Sequence, residues 1–303
     1  MTTVTPSAAP ASRLRTYASF VRFEHTLFSL PLLLAGVFSV PGPALSVRRW
    51  ALIALAAVGA RTLAMALNRL IDCRLDALNP RTRGRELPAG RMRSAEAWTL
   101  LVASVAAYLA ACAALGPWYL AVSPIPLAVF AGYPYLKRVT PLCHFGVGLG
   151  LALAPLAGFA AAHPDLGRPG AAVWLAAFMF LWASGFDIIY ATLDEEFDRA
   201  HGVRSMVAWL GRERALAVSA LLHRLAHFAL LGTVLLALRA AGAPSWSVTE
   251  AVTAALWIGV GVLLFFEQRW AENVNLAFFK VNVWVGFAVL AMVLAARLAA
   301  GGL

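Results

Sequence analysis

Charge is scarce in this sequence. Of its 303 residues only 13% are Asp, Glu, Lys or Arg, against roughly a quarter in a soluble domain, while 61% are hydrophobic and the mean hydropathy is +0.75. A soluble globular domain is thereby excluded and an integral membrane protein indicated. Cysteine is sparse as well. Cys73, Cys112 and Cys143 are scattered and odd in number, which argues against a disulfide framework or a CxxC metal site and leaves them as small apolar fillers. Two-residue alternation is missing from the long Ala/Leu-rich runs, and an open sheet cannot satisfy its backbone in lipid, so strands are not expected. A positive n-region followed by a short apolar core and cleavage site is also lacking. The opening MTTVTPSAAPAS therefore reads as tail rather than signal peptide, with residues 1–15 disordered before a single transmembrane domain at 16–303.

What is present is a series of apolar stretches near the ~20 residues that a helix needs to cross the hydrocarbon. They fall at about 25–42, 48–68, 95–115, 117–135, 141–162, 171–193, 215–240, 247–266 and 277–299. The expected fold is all-α, a polytopic bundle of about nine transmembrane helices. Counting Lys and Arg in alternate loops puts seventeen on the side of the N-terminus and five on the other, which places the N-terminus and the long loops at about 69–94 and 194–214 inside. The net charge of +10 is mostly this topology signal, not a nucleic-acid footprint, although a basic inner face also attracts anionic lipid or substrate.

Both long loops are entered through acidic residues at helical spacing. In N68-R-L-I-D72-C-R-L-D76 the oxygen-bearing side chains recur every four residues and share one helix face, with Arg61 two turns before Asn68 on the same face. The run D187-I-I-Y190-A-T-L-D194-E-E-F-D198 repeats the pattern with spacings of three, four and four. Solvated helix ends would explain Asp76 or Asp198 taken singly. Asp187, however, lies inside SGFDIIYATL, where a central carboxylate costs about 2.5–3.5 kcal/mol and calls for a cation, a partner or a water-filled cavity. Arg61 could serve either to neutralise Asp187 or to touch substrate. Carboxylates with an amide oxygen are hard ligands that suit magnesium shared with phosphate. The loops that follow, N79-P-R81-T-R83-G-R85-E-L-P-A-G-R91 and R199-A-H-G-V-R204-S205, bring several guanidiniums, which together with the acids suggest a diphosphate clamp. His223 and His227 are spaced for a metal but lack a third ligand nearby and are read as polar or interfacial.

These segments resemble the two aspartate-rich motifs of the UbiA family of intramembrane aromatic prenyltransferases, and Y133-P-Y-L-K137-R138 resembles the family's basic turn. The similarity runs from about residue 20 to 290. It implies a central cavity in which Mg2+ bridges aspartates to an isoprenoid diphosphate. Asn68, Asp72, Asp76, Asp194 and Asp198 would be the metal set. Arg83, Arg85, Lys137 and Arg204 would contact the diphosphate, and Asp187, Tyr190 and Arg61 would lie deeper, near the acceptor or the allylic carbon. The acidic residues and Tyr190 are the expected catalytic set, with Arg61 and Asn68 counted among the substrate-binding residues. Two positions depart from the family pattern, Arg69 after Asn68 and Phe197 in the second motif.

The resemblance implies transfer of a polyprenyl group from polyprenyl diphosphate to a small aromatic quinone precursor, 4-hydroxybenzoate or a dihydroxynaphthoate. F20-V-R-F-E-H25-T-L-F-S-L-P31 and V139-T-P-L-C-H144 look most like bacterial members assigned to ubiquinone or menaquinone synthesis, which implies a bacterial inner membrane location. Asp187 is the candidate to orient or deprotonate the acceptor hydroxyl. Alternatives are a haem or chlorophyll-type acceptor within the same superfamily or, from a different class, an ion-coupled transporter.

Overall fold

The structure, a computed structural model, describes residues 13–22, 26–241, 248–273 and 280–299. The proposed N-terminal tail lies outside them up to residue 12, and Arg13 already opens a helix. Among the described residues there are helices and no strands. In chain order they are α1 (Arg13–Phe20), α2 (Thr26–Val37), α3 (Val47–Leu78), α4 (Ser94–Leu115), α5 (Pro117–Val122), α6 (Pro124–Val139) and α7 (Cys143–Ala162). These are followed by α8 (Gly170–Ala191), α9 (Glu195–Ala200), α10 (Met206–Leu210), α11 (Arg212–Ala241), α12 (Val248–Arg269) and α13 (Asn282–Ala299).

Seven of the resulting rods are long and apolar enough to cross a bilayer, with α5 and α6 making one rod and α8 and α9 another. The apolar helices α2 and α13 are shorter. The chain is an all-α, multi-pass membrane protein. Helix α3 runs ten residues beyond the end of the apolar span at 68, so that span and the helix face expected to carry Asn68, Asp72 and Asp76 belong to one continuous helix and the loop begins later than 69. The loop expected at 194–214 is largely helical too, formed by α9 and α10.

Neighbouring helices pack through small residues, as suits a solvent that gives no hydrophobic drive between apolar helices. Gly158 on α7 abuts the Leu33 carbonyl of α2, and Gly148 abuts the Phe180 carbonyl and Ser184 Oγ of α8, so a β-carbon at either place would collide with the facing helix. The main apolar core gathers Phe178, Met179, Trp182 and Phe186 of α8 with Leu230 of α11, Leu264 of α12 and Val285 and Val289 of α13. A second core joins α3 to α4 through Leu63, Ala66, Leu101 and Tyr108, with Phe20 of α1 packed onto it. The two cores flank a space bounded by α3, α6, α7 and α8.

Candidate active site

That space is a cavity of about 1150 Å³, lined at one end by Asn68, Asp72, Asp76, Asp187, Tyr190, Asp194 and Asp198. Both acidic runs thus meet in one place although more than a hundred residues separate them. Helix α3 presents its three oxygen-bearing side chains by simple 3.6-residue periodicity. On the second run, α8 ends at Ala191 and a 3-10 turn, Thr192–Asp194, leads into α9, so periodicity is broken there; the acids still reach the same cavity.

Three of the carboxylates near the mouth, Asp72, Asp76 and Asp194, are matched by cations. Asp72, 1% exposed, receives Lys137 Nζ on one oxygen and Arg138 Nη2 on the other at 3.1 Å, and Asn68 Nδ2 donates to it at 3.2 Å. Asp76 accepts Arg85 Nη1 on both oxygens at 2.7 and 2.8 Å. Asp194 is held by the forked guanidinium of Arg81 and by Asn79 Nδ2 at 2.8 Å. Arg81 also donates to the Tyr190 hydroxyl at 2.7 Å and lies over that ring. Burial works against the charge on Arg81, but the bonds to Asp194 and Tyr190 outweigh it and its pKa is raised, so the guanidinium stays charged.

The loop carrying these cations is braced from within. Thr82 Oγ1 donates to the Asp76 carbonyl at 3.1 Å, Arg91 donates to the Gly84 carbonyl at 2.6 Å, and Ser19 of α1 donates to buried Glu86 at 2.6 Å. The Arg85 Nε is buried without a partner, an orphaned donor beside the acids that an anion would satisfy.

Deeper in the cavity Asp187 Oδ2 is 2.7 Å from His144 Nδ1. His144 Nε2 lies 3.2 Å from the backbone N–H of Met206 and accepts its hydrogen bond, so Nδ1 carries the proton and donates it to Asp187. Arg61 lines the same region, with Nη2 donating to the Arg22 carbonyl at 3.3 Å. Arg69 turns away from the cavity toward the Phe20 carbonyl, so this departure from the family pattern leaves the acidic ladder untouched. The other departure, Phe197, lines the cavity and stacks on His201.

Two of the expected diphosphate contacts are placed elsewhere. Arg83 and Arg204 are exposed and do not line the cavity. Arg204 instead donates to the Val139 carbonyl at 2.7 Å, satisfying an end group of α6 that has no partner within its own helix. Arg81, Asn79, Arg138 and His144 were not picked out as site residues from sequence, though the first three flank residues that were. His144 ends the Val139–His144 segment that carries the resemblance to bacterial members, just after the basic turn, but nothing in that segment assigns it a partner. His223 and His227 stand away from this cavity: His223 accepts from Gln268 at 2.9 Å, and His227 stacks on Trp257.

Among the described residues no three His, Cys, Asp or Glu side chains converge as a ready-made metal cage. Magnesium needs less, since it binds through one or two carboxylates and takes its remaining oxygens from water and phosphate. An all-oxygen set of Asp72, Asp76, Asp194 and Asp198 beside an orphaned arginine donor fits that pattern.

Comparison with known proteins agrees with this geometry. The profile of the UbiA prenyltransferase family matches residues 29–284. A 4-hydroxybenzoate octaprenyltransferase of Xanthomonas campestris pv. campestris is 31% identical over 237 residues, covering 76% of this chain and 73% of that protein. One of Vibrio campbellii is 28% identical over 238 residues, 73% and 79% of the two chains. The apo structure of a UbiA homolog from Aeropyrum pernix K1 superposes with a TM-score of 0.75 at 34% identity, covering 89% of this chain and 97% of that one. A UbiA homolog from Archaeoglobus fulgidus, bound to GPP and Mg2+, shares the fold with a TM-score of 0.71 at 20% identity, over 94% and 99% of the two chains. With its two acidic runs brought to one end of an intramembrane cavity, and the profile spanning most of its length, the chain belongs to the UbiA prenyltransferase family.

Proposed function

We propose that this prenyltransferase moves a polyprenyl group from polyprenyl diphosphate to a small aromatic quinone precursor, 4-hydroxybenzoate or a dihydroxynaphthoate, in a magnesium-dependent reaction. One observation carries the reading. A single cavity has five carboxylates, Arg81, Arg85 and Lys137 toward one end and apolar walls of Ala54, Ala57, Leu151 and Ala157 along its length. A diphosphate head and an isoprenoid tail have that same division.

When bound, magnesium would supply Lewis-acid stabilisation of the diphosphate oxygens; Asn68, Asp72, Asp76, Asp194 and Asp198 would hold it. Arg81, Arg85 and Lys137 would turn from their carboxylates to the diphosphate and stabilise charge as the allylic C–O bond breaks and the diphosphate leaves with the electron pair. The apolar walls keep water from the allylic cation. Asp187 has one oxygen on His144 and its side chain is 25% exposed within the cavity, which suits it to take the proton from the acceptor as the new aryl C–C bond forms. The GPP and Mg2+ of the Archaeoglobus fulgidus homolog are the same chemical pairing. The acid end lies on the side of the Arg-rich loops, hence at the cytoplasmic face of a bacterial inner membrane.

The test is product mass after incubating purified protein with magnesium, a polyprenyl diphosphate and, separately, 4-hydroxybenzoate and dihydroxynaphthoates. A prenylated adduct that disappears with chelator supports the reading and names the acceptor. No adduct from a folded sample with any of these acceptors overturns the quinone-precursor assignment.

A further inference from the structure

Arg204 stands outside the cavity and takes no part in the chemistry described so far. It holds a short strap, Val203–Met206, that runs from the acids of the second run to the partner of Asp187. Helix α9 ends at Ala200, and Gly202, at φ +66, turns the chain there in a conformation that glycine takes without strain. The Val203 N–H returns to the Asp198 carbonyl at 2.9 Å, so the strap starts from a residue of the proposed metal set.

The strap then crosses the corner between α6 and α7. The Arg204 N–H donates to the Lys137 carbonyl at 2.7 Å, and its Nη1 donates to the Val139 carbonyl, also at 2.7 Å. Both carbonyls belong to the last turn of α6, where helix geometry leaves them without intrahelical partners. The Arg204 carbonyl in turn accepts from Cys143 Sγ at 3.4 Å, at the start of α7. Ser205 is extended, with φ −117 and ψ 161, and its hydroxyl accepts the Ala208 N–H at 3.1 Å, which starts α10 at Met206. As the first residue of that helix Met206 has an N–H with no intrahelical acceptor, and it donates to His144 Nε2 at 3.2 Å. With His144 only 2% exposed, solvent is a poor substitute for that donor.

We propose that Arg204 is a positioning residue: by pinning the strap across the α6–α7 corner it holds the Met206 N–H on His144 and so fixes which imidazole nitrogen carries the proton toward Asp187. This rests on the prenyl-transfer reading above, in which Asp187 takes the acceptor proton. A strap released from Val139 frees the imidazole to adopt its other tautomer, whose bare Nδ1 sets a lone pair against the carboxylate. Arg81, Arg85 and Lys137 still bind the diphosphate, but Asp187 no longer has a donor to hold it.

The test begins with steady-state kinetics. Arg204→Ala should lower kcat by about tenfold or more, the scale for groups that orient a reacting side chain, with the KM for prenyl diphosphate close to that of the parent. Combined with His144→Ala it should cost no more than His144→Ala alone, because both remove the same arrangement. A direct diphosphate contact would put the loss into that KM and multiply with His144→Ala, and either result overturns the assignment. Met206→Pro isolates the N–H and keeps the proposal testable should Arg204→Ala not fold. Proline is tolerated at the first position of a helix and wants an extended residue before it, as Ser205 already is. It should lose as much kcat as His144→Ala, whereas Met206→Ala, which keeps the N–H, should lose less; equal losses would count against the strap. The tautomer itself is read without turnover, from nitrogen-15 spectra of histidine-labelled protein with His144→Gln assigning the signal. Nδ1 should be protonated in the parent, with both tautomers present in Arg204→Ala and Met206→Pro. An unchanged tautomer in the two variants sinks the strap role. A parent that shows the expected tautomer and strap dependence but prenylates no acceptor fails the proposed function alone.

Discussion

Asp187 shows how much a single residue can say and where it stops. A carboxylate in an apolar helix had to have a partner or a cavity, and it has both: His144 at 2.7 Å and the cavity lumen. Sequence spacing could demand a partner but not name His144, because the contact joins α7 to α8 across 43 residues and depends on Met206 fixing the imidazole tautomer. His144→Ala should lower kcat by about 10- to 100-fold, the usual scale for groups that orient a reacting side chain. KM for the prenyl diphosphate should stay close to that of the parent, since the diphosphate cations lie on other carboxylates. His144→Gln, still able to donate to Asp187, should recover part of the loss. Steady-state kinetics showing the whole effect in diphosphate KM would refute this role. Asp72 makes the complementary case. With Lys137 and Arg138 both aimed at it, Asp72→Asn should bind diphosphate without the metal requirement of the parent and lose turnover by at least about 100-fold, read by isotopic binding and transfer assays side by side.

At the scale of elements, the helices were legible from apolar length, while their ends and breaks were not. Charged and amide side chains lower local hydropathy after 68 and end the apolar span there, while α3 continues to Leu78 with one face in the cavity, so the loop starts about ten residues later than hydropathy places it. Where α8 gives way to a 3-10 turn before α9, the rod continues but its α-helical periodicity is interrupted, so the four-residue spacing of the acids in sequence no longer fixes their common face. The resemblance assigns Arg83 and Arg204 to the diphosphate together with Arg85 and Lys137, but a loop rich in Arg does not declare which guanidinium points inward, and these two do not line the cavity. Packing between elements is equally hidden from pattern. Nothing in the four residues from Pro155 to Gly158 marks that glycine over others, yet Gly158 is where α7 meets the Leu33 carbonyl of α2. Gly158→Val would place two methyl groups against backbone that cannot withdraw, and overpacking of this kind costs about 1–3 kcal/mol. In detergent the variant should melt several degrees below the parent, whereas Gly132→Ala, at a position with open space around the β-carbon, should leave the midpoint nearly unchanged.

For the whole molecule, the decisive feature is that the polar chemistry is confined to one end. Arg81, Arg85, Arg91, Lys137, Arg138 and Arg204 cluster around the acid end of the cavity or on the loops that border it, while Arg49 sits in the first turn of α3 and Arg168 in the loop before α8. Cationic residues are retained on the cytoplasmic side of bacterial membranes, so the more heavily basic end should face inward. Diphosphate substrates, which do not cross a bilayer unaided, are then met at the face where they are soluble or lipid-anchored. The prediction can be read without any enzyme assay. On a background with Cys73, Cys112 and Cys143 replaced by Ala, a cysteine at Gly84, which has nothing within 4 Å of its β-carbon position, should react with a membrane-impermeant maleimide in inside-out vesicles only. One at Arg168, in the connection that precedes α8, should react in right-side-out vesicles only. Labelling with the opposite sidedness would invert the molecule, put the diphosphate clamp outside, and require the substrate to reach it from the far face. Labelling of both positions from one side would be incompatible with the path of the chain between them, which crosses through α4, the rod of α5 and α6, and α7, an odd number of passages that must end on the face opposite to the one it left.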